Sequence, residues 1–285
     1  MARSLIYPME LFDETLDINA TDNYDLTLEI SEEGISLAVL DLLRGKYVML
    51  RHYPLLNTED NTKRSLEEII SGDDFMQRHY RKVIVITPSP DSTLVPSPLY
   101  EPVLKDDFYR FNLPAGENIN VFANNLTFPG AVVLFTPMTG VAELLASHWS
   151  GMTPWHHTRP LLQHAFISSR SSDDRYLHLH IEKNFATVII IEKRKLSFCN
   201  SFRCSAPGDV TYYLFSIFDK AGVKNDETLH LSGIVEPYGE LHLSLLNFTE
   251  SIKFASPSIR YSYSYVMNEV PMHRWLNLFT ASSCE

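Results

Sequence analysis

The sequence has little cysteine and no apolar run as long as a membrane-spanning helix. Three cysteines in 285 residues are too few for a disulfide framework and indicate a reducing compartment. No apolar stretch approaches the roughly 18 residues that cross a bilayer. Pro8 and Glu10 interrupt the apolar residues near the start, so no signal peptide is expected. These absences predict a cytoplasmic protein without membrane insertion.

The common catalytic fingerprints are also missing. The sequence contains no Gly-x-Ser-x-Gly, no P-loop and no dinucleotide-binding glycine motif. Histidines 178 and 180 share one face of a predicted strand, with His230 and His242 expected nearby. No acid or cysteine stands at ligand spacing to complete a zinc site there. The sequence therefore predicts neither a catalytic residue nor a metal site.

Two smaller groups carry the remaining candidates for chemistry. His156 and His157 are adjacent, and successive strand residues face opposite sides, so they are not expected to bind one ligand together. Cys199 and Cys204 lie on one predicted strand and are interpreted as buried thiols.

Positive charge is scarce in the first half of the chain. The net charge is −11, and residues 1–153 contain 11 Lys and Arg against 22 Asp and Glu, whereas the remainder is balanced at 13 against 13. Nucleic-acid binding needs a basic face, so this charge argues against it. Two interpretations remain, a solvated acidic surface or a docking surface for a basic partner protein. The acidic pairs expected to be exposed are Glu67-Glu68, Asp73-Asp74 and Asp106-Asp107.

A strand and helix pattern occurs twice. Residues 176–233 contain three short strand patterns, a helix with apolar residues every three to four positions, and a fourth strand. Residues 24–87 repeat this order, with helical patterns at 66–70 and 75–80. Residues 161–168 are expected to form a strand that leads into the second half. The duplication predicts two βββαβ units in two lobes, at 1–153 and 154–285.

The duplicated pattern resembles the superfamily of actin, sugar kinases and heat-shock ATPases, whose two lobes are ribonuclease-H-like. In that superfamily the adenosine site is a strand ending in Leu-Ser/Thr-Gly-Gly, followed by a loop, a glycine and a helix. Here Leu231-Ser232-Gly233 is followed by Ile234 and later by Gly239. The resemblance implies an α/β, actin-like fold of two lobes with mixed sheets flanked by helices.

More narrowly, nearly the whole chain resembles an uncharacterised domain-of-unknown-function family of Bacteroidetes bacteria with a degenerate actin-like fold. The stretches that carry this resemblance are Thr93-Leu-Val-Pro96, Leu99-Tyr100, Tyr109-Arg-Phe-Asn112, Asn200-Ser201-Phe202, Asp209, Tyr212-Tyr213, Leu231-Ser232-Gly233 and Cys284-Glu285. The resemblance implies the fold and no established activity.

The superfamily resemblance also implies a candidate site between the lobes. Two hairpin turns of the type Asp-x-Gly hold the phosphates of ATP in that superfamily, and the Asp orients Mg²⁺ and water. This chain offers Glu32, Glu33 and Gly34 at the first turn, and Glu182, Lys183 and Asn184 at the second. Together with Ser232 and Gly233 they form the candidate cofactor-binding cleft.

Each of these loops departs from the superfamily pattern. Glu32 and Glu182 replace the shorter Asp, Asn184 stands where a glycine is expected, and Ile234 fills space that a nucleobase needs. No cofactor is therefore predicted. The leading hypothesis is a non-catalytic actin-like module that acts by binding another protein. The alternative is a nucleotide-binding phosphotransferase or ATPase that uses the cleft, with Glu32 and Glu182 as its acids.

Overall fold

The computed structural model describes residues 8–55, 62–114, 116, 119–171, 175–257 and 260–284. Within these ranges the chain alternates groups of strands with helices. The strands are β1 (Met9–Phe12), β2 (Tyr24–Ser31), β3 (Gly34–Asp41), β4 (Lys46–Pro54), β5 (Lys82–Thr87), β6 (Ser92–Pro96), β7 (Phe122–Leu126), β8 (Ala131–Phe135), β9 (Trp155–His156), β10 (Tyr176–Ile181), β11 (Phe185–Glu192), β12 (Lys195–Arg203), β13 (Leu229–Gly233), β14 (Ile252–Phe254) and β15 (Ser262–Tyr263). The helices are α1 (Thr62–Gly72), α2 (Lys105–Asn112), α3 (Val141–His148), α4 (Thr158–Ser168), α5 (Pro207–Ala221), α6 (Glu240–Leu246) and α7 (Leu276–Ala281).

Two sheets share one topology, as the duplicated pattern predicts. In the first sheet the order β4-β3-β2-β5 is antiparallel except for β5, which runs parallel to β2. In the second sheet the order β12-β11-β10-β13 has the same directions, with β13 parallel to β10. A helix precedes the parallel strand in both, α1 before β5 and α5 before β13. The predicted βββαβ units at 24–87 and 176–233 are confirmed.

Additional strands extend the two sheets, and a third sheet lies between them in sequence. β1, β9 and β15 join the first sheet, and β14 joins the second. The strands β6, β8 and β7 form a separate antiparallel sheet. The cis peptide bond between Phe128 and Pro129 lies in the turn from β7 to β8. This small sheet, with α2 against it, is an insertion in the first half of the chain.

The apolar faces of the sheets are covered by helices on both sides. One core packs the alternate apolar residues of β2 and β3 against α1 and α3, and a second packs β10, β11 and β13 against α5 and α6. On the inner faces, α7 lies on the first sheet and α4 on the second, and these two helices contact each other. The Tyr47 hydroxyl donates to the Phe279 carbonyl at 2.8 Å. The helices α4 and α7 thus join the two sheets.

Two local predictions from the sequence are wrong. Residues 161–168 belong to α4, not to a strand, because Leu161, Leu162, Ala165 and Phe166 fall on one helical face and are buried. The segment 75–80 forms turns in place of a helix. There the Asp73 carboxylate accepts the backbone N–H groups that a continuing helix would bond internally.

The division into 1–153 and 154–285 stays a prediction. Three elements of the later range lie with the first sheet: β9 pairs with β5, β15 pairs with β4, and α7 packs on β2 and β3. Burial of Trp275, Leu278 and Phe279 against this sheet explains why the chain returns to it.

Candidate functional site

The two predicted phosphate-binding turns touch each other. The Asn184 side-chain amide donates to Glu32 Oε1 at 2.8 Å, and Lys183 Nζ lies 3.4 Å from the Glu32 carbonyl oxygen. Glu33 forms an ion pair with Arg274, with Nη2 and Oε2 3.1 Å apart. The turns therefore meet across the cleft through their own side chains.

The strand pairing corrects the correspondence between the turns. Ser31 pairs with Gly34 in the first hairpin, and in the second the Glu182 N–H donates to the Phe185 carbonyl at 2.9 Å. Glu182 therefore occupies the position of Ser31, and not that of Glu32 as the comparison with the Asp-x-Gly motif assumed. Phe185 occupies the position of Gly34. Motif spacing fails here because both turns have two residues but differ in where the acid stands. Glu32 lies within the first turn, whereas Glu182 precedes the second.

Both glycines of the predicted site are required by the backbone itself. A β-carbon at Gly34 would lie 1.8 Å from the Tyr53 carbonyl oxygen, and at Gly233 it would lie 2.0 Å from the Ile181 carbonyl oxygen. Gly233 also has φ +83°, which L side chains rarely adopt. Their presence is explained by close strand packing without any ligand.

We expect Gly233→Ala to lower the free energy of unfolding by about 3 kcal/mol or more without any nucleotide present, because backbone must shift to accept the β-carbon. The matched control is Gly45→Ala, which has φ +60° and open space around it and should cost only about 1 kcal/mol. Urea unfolding of both variants measures the difference. Equal losses would contradict the packing explanation.

A cavity of about 300 Å³ lies beside the two turns. Its charged lining consists of Glu32, Asp91, Glu182, Lys183 and Arg203. Arg203 is engaged by Asp91 at 2.6 Å, and Lys183 approaches the Glu32 carbonyl. Bound phosphates would have to compete with these contacts, beside the acids that already line the cavity.

Behind the cavity runs a row of hydrogen-bonded side chains, called here the buried ladder: Glu182, His180, Ser232, His178 and Tyr176. Glu182 Oε1 lies 3.0 Å from His180 Nε2, and the Ser232 hydroxyl lies 2.7 Å from both His180 Nδ1 and His178 Nε2. The Tyr176 hydroxyl is 3.5 Å from His178 Nδ1. Ser232 is fully buried, so this residue of the predicted adenosine loop is part of the protein core.

The pKa values give the buried ladder one direction of hydrogen bonding. Burial raises the pKa of Glu182 to about 8, and the Glu33 carboxylate adds to the rise. Burial lowers the pKa of His180 to about 4. At neutral pH the Glu182 carboxyl then donates to His180, His180 donates to Ser232, and Ser232 donates to His178. The Asn277 amide, 3.3 Å from His180 Nε2, is a second donor to the same unprotonated nitrogen.

A second carboxyl beside the buried ladder was missed by the sequence reasoning. Burial raises the pKa of Glu29 to about 8, and the Glu182 carboxylate adds to the rise. Glu29 Oε2 has no hydrogen-bond partner among the described residues. The sequence did contain a signal for the burial of Glu29. Strand β3 is apolar on both faces, which implies that the polar face of the neighbouring β2 is also covered.

The remaining histidines that the sequence analysis singled out do not form a joint site. The rings of His156 and His157 lie 4.2 Å apart, closer than predicted, because the strand ends at His156 and His157 precedes α4. His242 packs on Phe254, away from His178. Among the described residues no three His, Cys, Asp or Glu side chains stand close enough to hold a metal ion.

The structure thus separates the predicted site residues into two groups, apart from Glu33, which is paired with Arg274. Glu32, Glu182, Lys183 and Asn184 line the cavity. Ser232 and Gly233 are buried in the second sheet, and Gly34 is buried in the first.

In the described part of the chain, no helix is both long and apolar enough to cross a membrane.

Comparison with known proteins identifies the fold. Residues 13–252 match the model of a family described as protein of unknown function DUF3822. A crystal structure of a protein with actin-like ATPase fold and unknown function from Bacteroides thetaiotaomicron VPI-5482 is 20% identical. It covers 95% of this chain and 100% of that chain, with a TM-score of 0.77. No curated protein matches the sequence significantly.

A second similar structure is that of the PilM–PilN type IV pilus biogenesis complex. The identity is 13%, the alignment covers 92% of this chain and 98% of that chain, and the TM-score is 0.59. At these identities the likeness establishes the fold alone. The chain therefore has the two-lobed, actin-like ATPase fold that the sequence resemblance implies.

Proposed function

Since this chain belongs to the DUF3822 family of proteins of unknown function, we propose from its own site that it is a non-catalytic actin-like module that binds another protein. The observation that carries the proposal is the direct contact between the turns that hold phosphates in the superfamily. Asn184 and Glu32 are bonded to each other at 2.8 Å. Side chains of the two turns are thus paired with each other where the superfamily holds phosphates.

The charges around the cleft support the same proposal. Arg203 and Arg274 are paired with Asp91 and Glu33. The two buried carboxyls, Glu29 and Glu182, are neutral near pH 7 because burial raises the pKa of both to about 8. Mg²⁺ would have to displace a proton to bind either carboxyl, because it prefers charged oxygen ligands.

The surface of the insertion supports binding of a protein. Val103 and Phe111 are 86% and 89% exposed, and exposed acids at Glu101, Asp106 and Asp107 lie among them in sequence. Exposed apolar side chains beside acids suit a partner that is both apolar and basic. The similar PilM–PilN structure is a complex of two proteins, an analogy at the level of the fold.

We also propose a cytoplasmic location. Cys199, Cys204 and Cys284 are free thiols. Burial raises the pKa of Cys199 and of Cys284 to about 12, so both stay protonated and poorly reactive. Three unpaired cysteines are consistent with a reducing compartment.

One expected acidic contact is corrected by the structure. Asp73 is 2% exposed, because its carboxylate is an ion-pair partner of Arg51 in the core. The exposed acids are therefore Glu67, Glu68, Asp74, Asp106 and Asp107.

We expect the partner's association rate to fall as ionic strength rises, because screening limits exposed charges to about 8 Å at 0.15 M salt. The partner is first recovered by pull-down and purified, and its association is then measured with and without Mg-ATP. Changing the five exposed acids to Asn or Gln should slow association and remove its salt dependence. Association that requires Mg-ATP would contradict the proposed function. If neither salt nor the five substitutions changed the association rate, the acidic residues would have no part in binding and would form only a solvated surface.

A further inference from the structure

Two open strand edges face each other beside the cleft. β6 is the outer strand of the three-stranded sheet and β12 the outer strand of the second sheet, and no described strand pairs with the free side of either. At one end, Asp91 before β6 is bonded to Arg203 of β12 at 2.6 Å. The groove between these edges, called here the edge groove, has a volume of about 360 Å³.

The outer edge of β12 presents backbone groups to the edge groove. The Cys204 N–H donates inward, to the Asn184 carbonyl at 2.9 Å. Because alternate residues of an antiparallel strand point to opposite neighbours, the backbone groups of Cys199 and Ser201 point outward. The outward N–H of Ser201 is bonded to Asn200 Oδ1 at 3.0 Å. Asn200 thus supplies the acceptor that a neighbouring strand would supply.

The edge of β6 is open over a shorter length. The Ser97 N–H donates inward to the Gly130 carbonyl at 2.9 Å, so by alternation the backbone groups of Leu94 point outward. Pro96, the next outward residue, has no N–H and ends the open stretch. An occupant can therefore pair over several residues with β12 and at one position with β6.

The edge groove is lined by uncharged side chains. Leu94, Val133 and Cys199 supply apolar lining, and hydroxyl and amide groups, including those of Thr158 and Asn112, supply the rest. The cleft cavity, by contrast, has five charged lining residues. In a chain with net charge −11, an uncharged groove is complementary to an uncharged segment and disfavours a charged one.

We propose that the edge groove binds an extended, uncharged segment of a partner protein, which adds as a strand to β12. The proposal rests on the proposed function and adds to it a separate contact for an uncharged segment of the partner, in addition to the acidic surface that attracts the partner. Only a peptide backbone offers donors and acceptors at the spacing of the open edge. The segment is about four residues, or about 13 Å, long. One of its side chains faces the apolar lining and is small and apolar.

The test begins with a displayed library of random dodecapeptides selected on the full-length chain. We expect selected peptides to share an uncharged stretch of about four residues with a small apolar residue within it. Their affinity should be nearly the same at about 50 mM and about 500 mM NaCl, because no charge lines the groove. In wild-type protein, a selected peptide should slow hydrogen exchange of the Cys199 and Leu94 amides.

Two substitutions give a matched pair. Ser201→Pro removes an outward N–H and should weaken the peptide by about tenfold or more, the worth of a lost backbone hydrogen bond and an obstructed edge. Asn200→Ala frees the same N–H and should leave binding unchanged or tighter. Because Ser201 Oγ also contacts Thr187 at 2.8 Å, exchange in the wild type is the measurement that does not depend on the variant's stability.

Three outcomes with peptide overturn the proposal for the edge groove, and a fourth without peptide does so as well. The first three are failure to select any peptide, protection of amides other than those of β6 and β12, and binding unaffected by Ser201→Pro. Protection of β12 that grows with protein concentration without peptide would make the occupant a second copy of this chain, which also overturns the proposal. None of these touches the proposed function, whose failure is association that requires Mg-ATP.

Discussion

Replacing Asp73 with asparagine is expected to lower the free energy of unfolding by about 3 kcal/mol, because it leaves the Arg51 guanidinium buried without its main charge partner. The Arg51 Nη1 and Asp73 Oδ2 atoms lie 2.5 Å apart, and the same oxygen accepts from the Tyr53 hydroxyl at 2.7 Å. The guanidinium also lies beside the stacked rings of Phe12 and Phe75, 5.0 Å from each ring centroid. Asparagine keeps Oδ1, which accepts the backbone N–H groups of the following turn. It places an NH2 donor where Oδ2 accepted from Arg51 and Tyr53, so the expected loss combines the charge with these hydrogen bonds.

The neighbouring acid provides the control for Asp73. Asp74 also contacts Arg51, at 3.3 Å, but its side chain is 63% exposed. Asp74→Asn should therefore cost less than about 1 kcal/mol. Urea unfolding of wild type and both variants at pH 7 gives the comparison. If both variants lost equally little stability, Glu10, which lies 2.9 Å from Arg51 Nη2, would be sufficient by itself to compensate the charge of Arg51.

The second large effect is a fall in stability as pH rises from about 6.5 to about 8. Burial raises the pKa of Glu29 and of Glu182 to about 8, from the ordinary value of about 4.5. The folded protein therefore binds more protons than the unfolded chain between these pH values, and stability is lost as pH rises through the window. Each carboxyl contributes a slope of up to about 1.4 kcal/mol per pH unit.

Buried histidines set the lower limit of this window. Burial lowers the pKa of His156, His164 and His180 to about 4. For these groups the unfolded chain binds more protons below pH 6.5, so stability is lost as pH falls. We therefore expect maximal stability at about pH 6.5, where the two effects balance.

Glu29→Gln tests the carboxyl directly, since it keeps the shape and removes the titrating group. We expect the variant to gain stability relative to wild type at pH 8.5 and to gain little at pH 5. Glu67→Gln, on the exposed surface of α1, is the control and should follow the wild-type curve. Thermal melts across pH give the measurement. A variant curve parallel to that of the wild type would contradict the assigned role of Glu29.

The fold could be predicted from the sequence because strands of its repeated unit alternate apolar and polar residues. Leu26 and Leu28 pair with Val39 and Leu37, and the same offsets recur in the second sheet. Segments without period-two alternation were assigned less well. The strand predicted at 161–168 is a helix, because in a short apolar run the periods of helix and strand are difficult to distinguish.

The site was predicted less completely because its contacts are distant in sequence. The bond between Asn184 and Glu32 joins residues 152 positions apart, and Asn277 reaches His180 from α7. Motif spacing located the turns and could not reveal that they touch. Asp73 was expected at the surface because acidic pairs are usually solvated. Its buried partner Arg51 lies on β4 and shares no local pattern with it.

The central claim, that the cleft no longer binds nucleotide, is tested most directly by a thermal melt with and without millimolar Mg-ATP. A ligand present at 100 times its Kd stabilises the folded state by about 2.7 kcal/mol, which would raise Tm by several degrees for a chain of this size. The account predicts no rise. A reproducible rise of several degrees that is abolished in Glu32→Ala or Glu182→Ala would contradict it and favour a nucleotide-dependent enzyme.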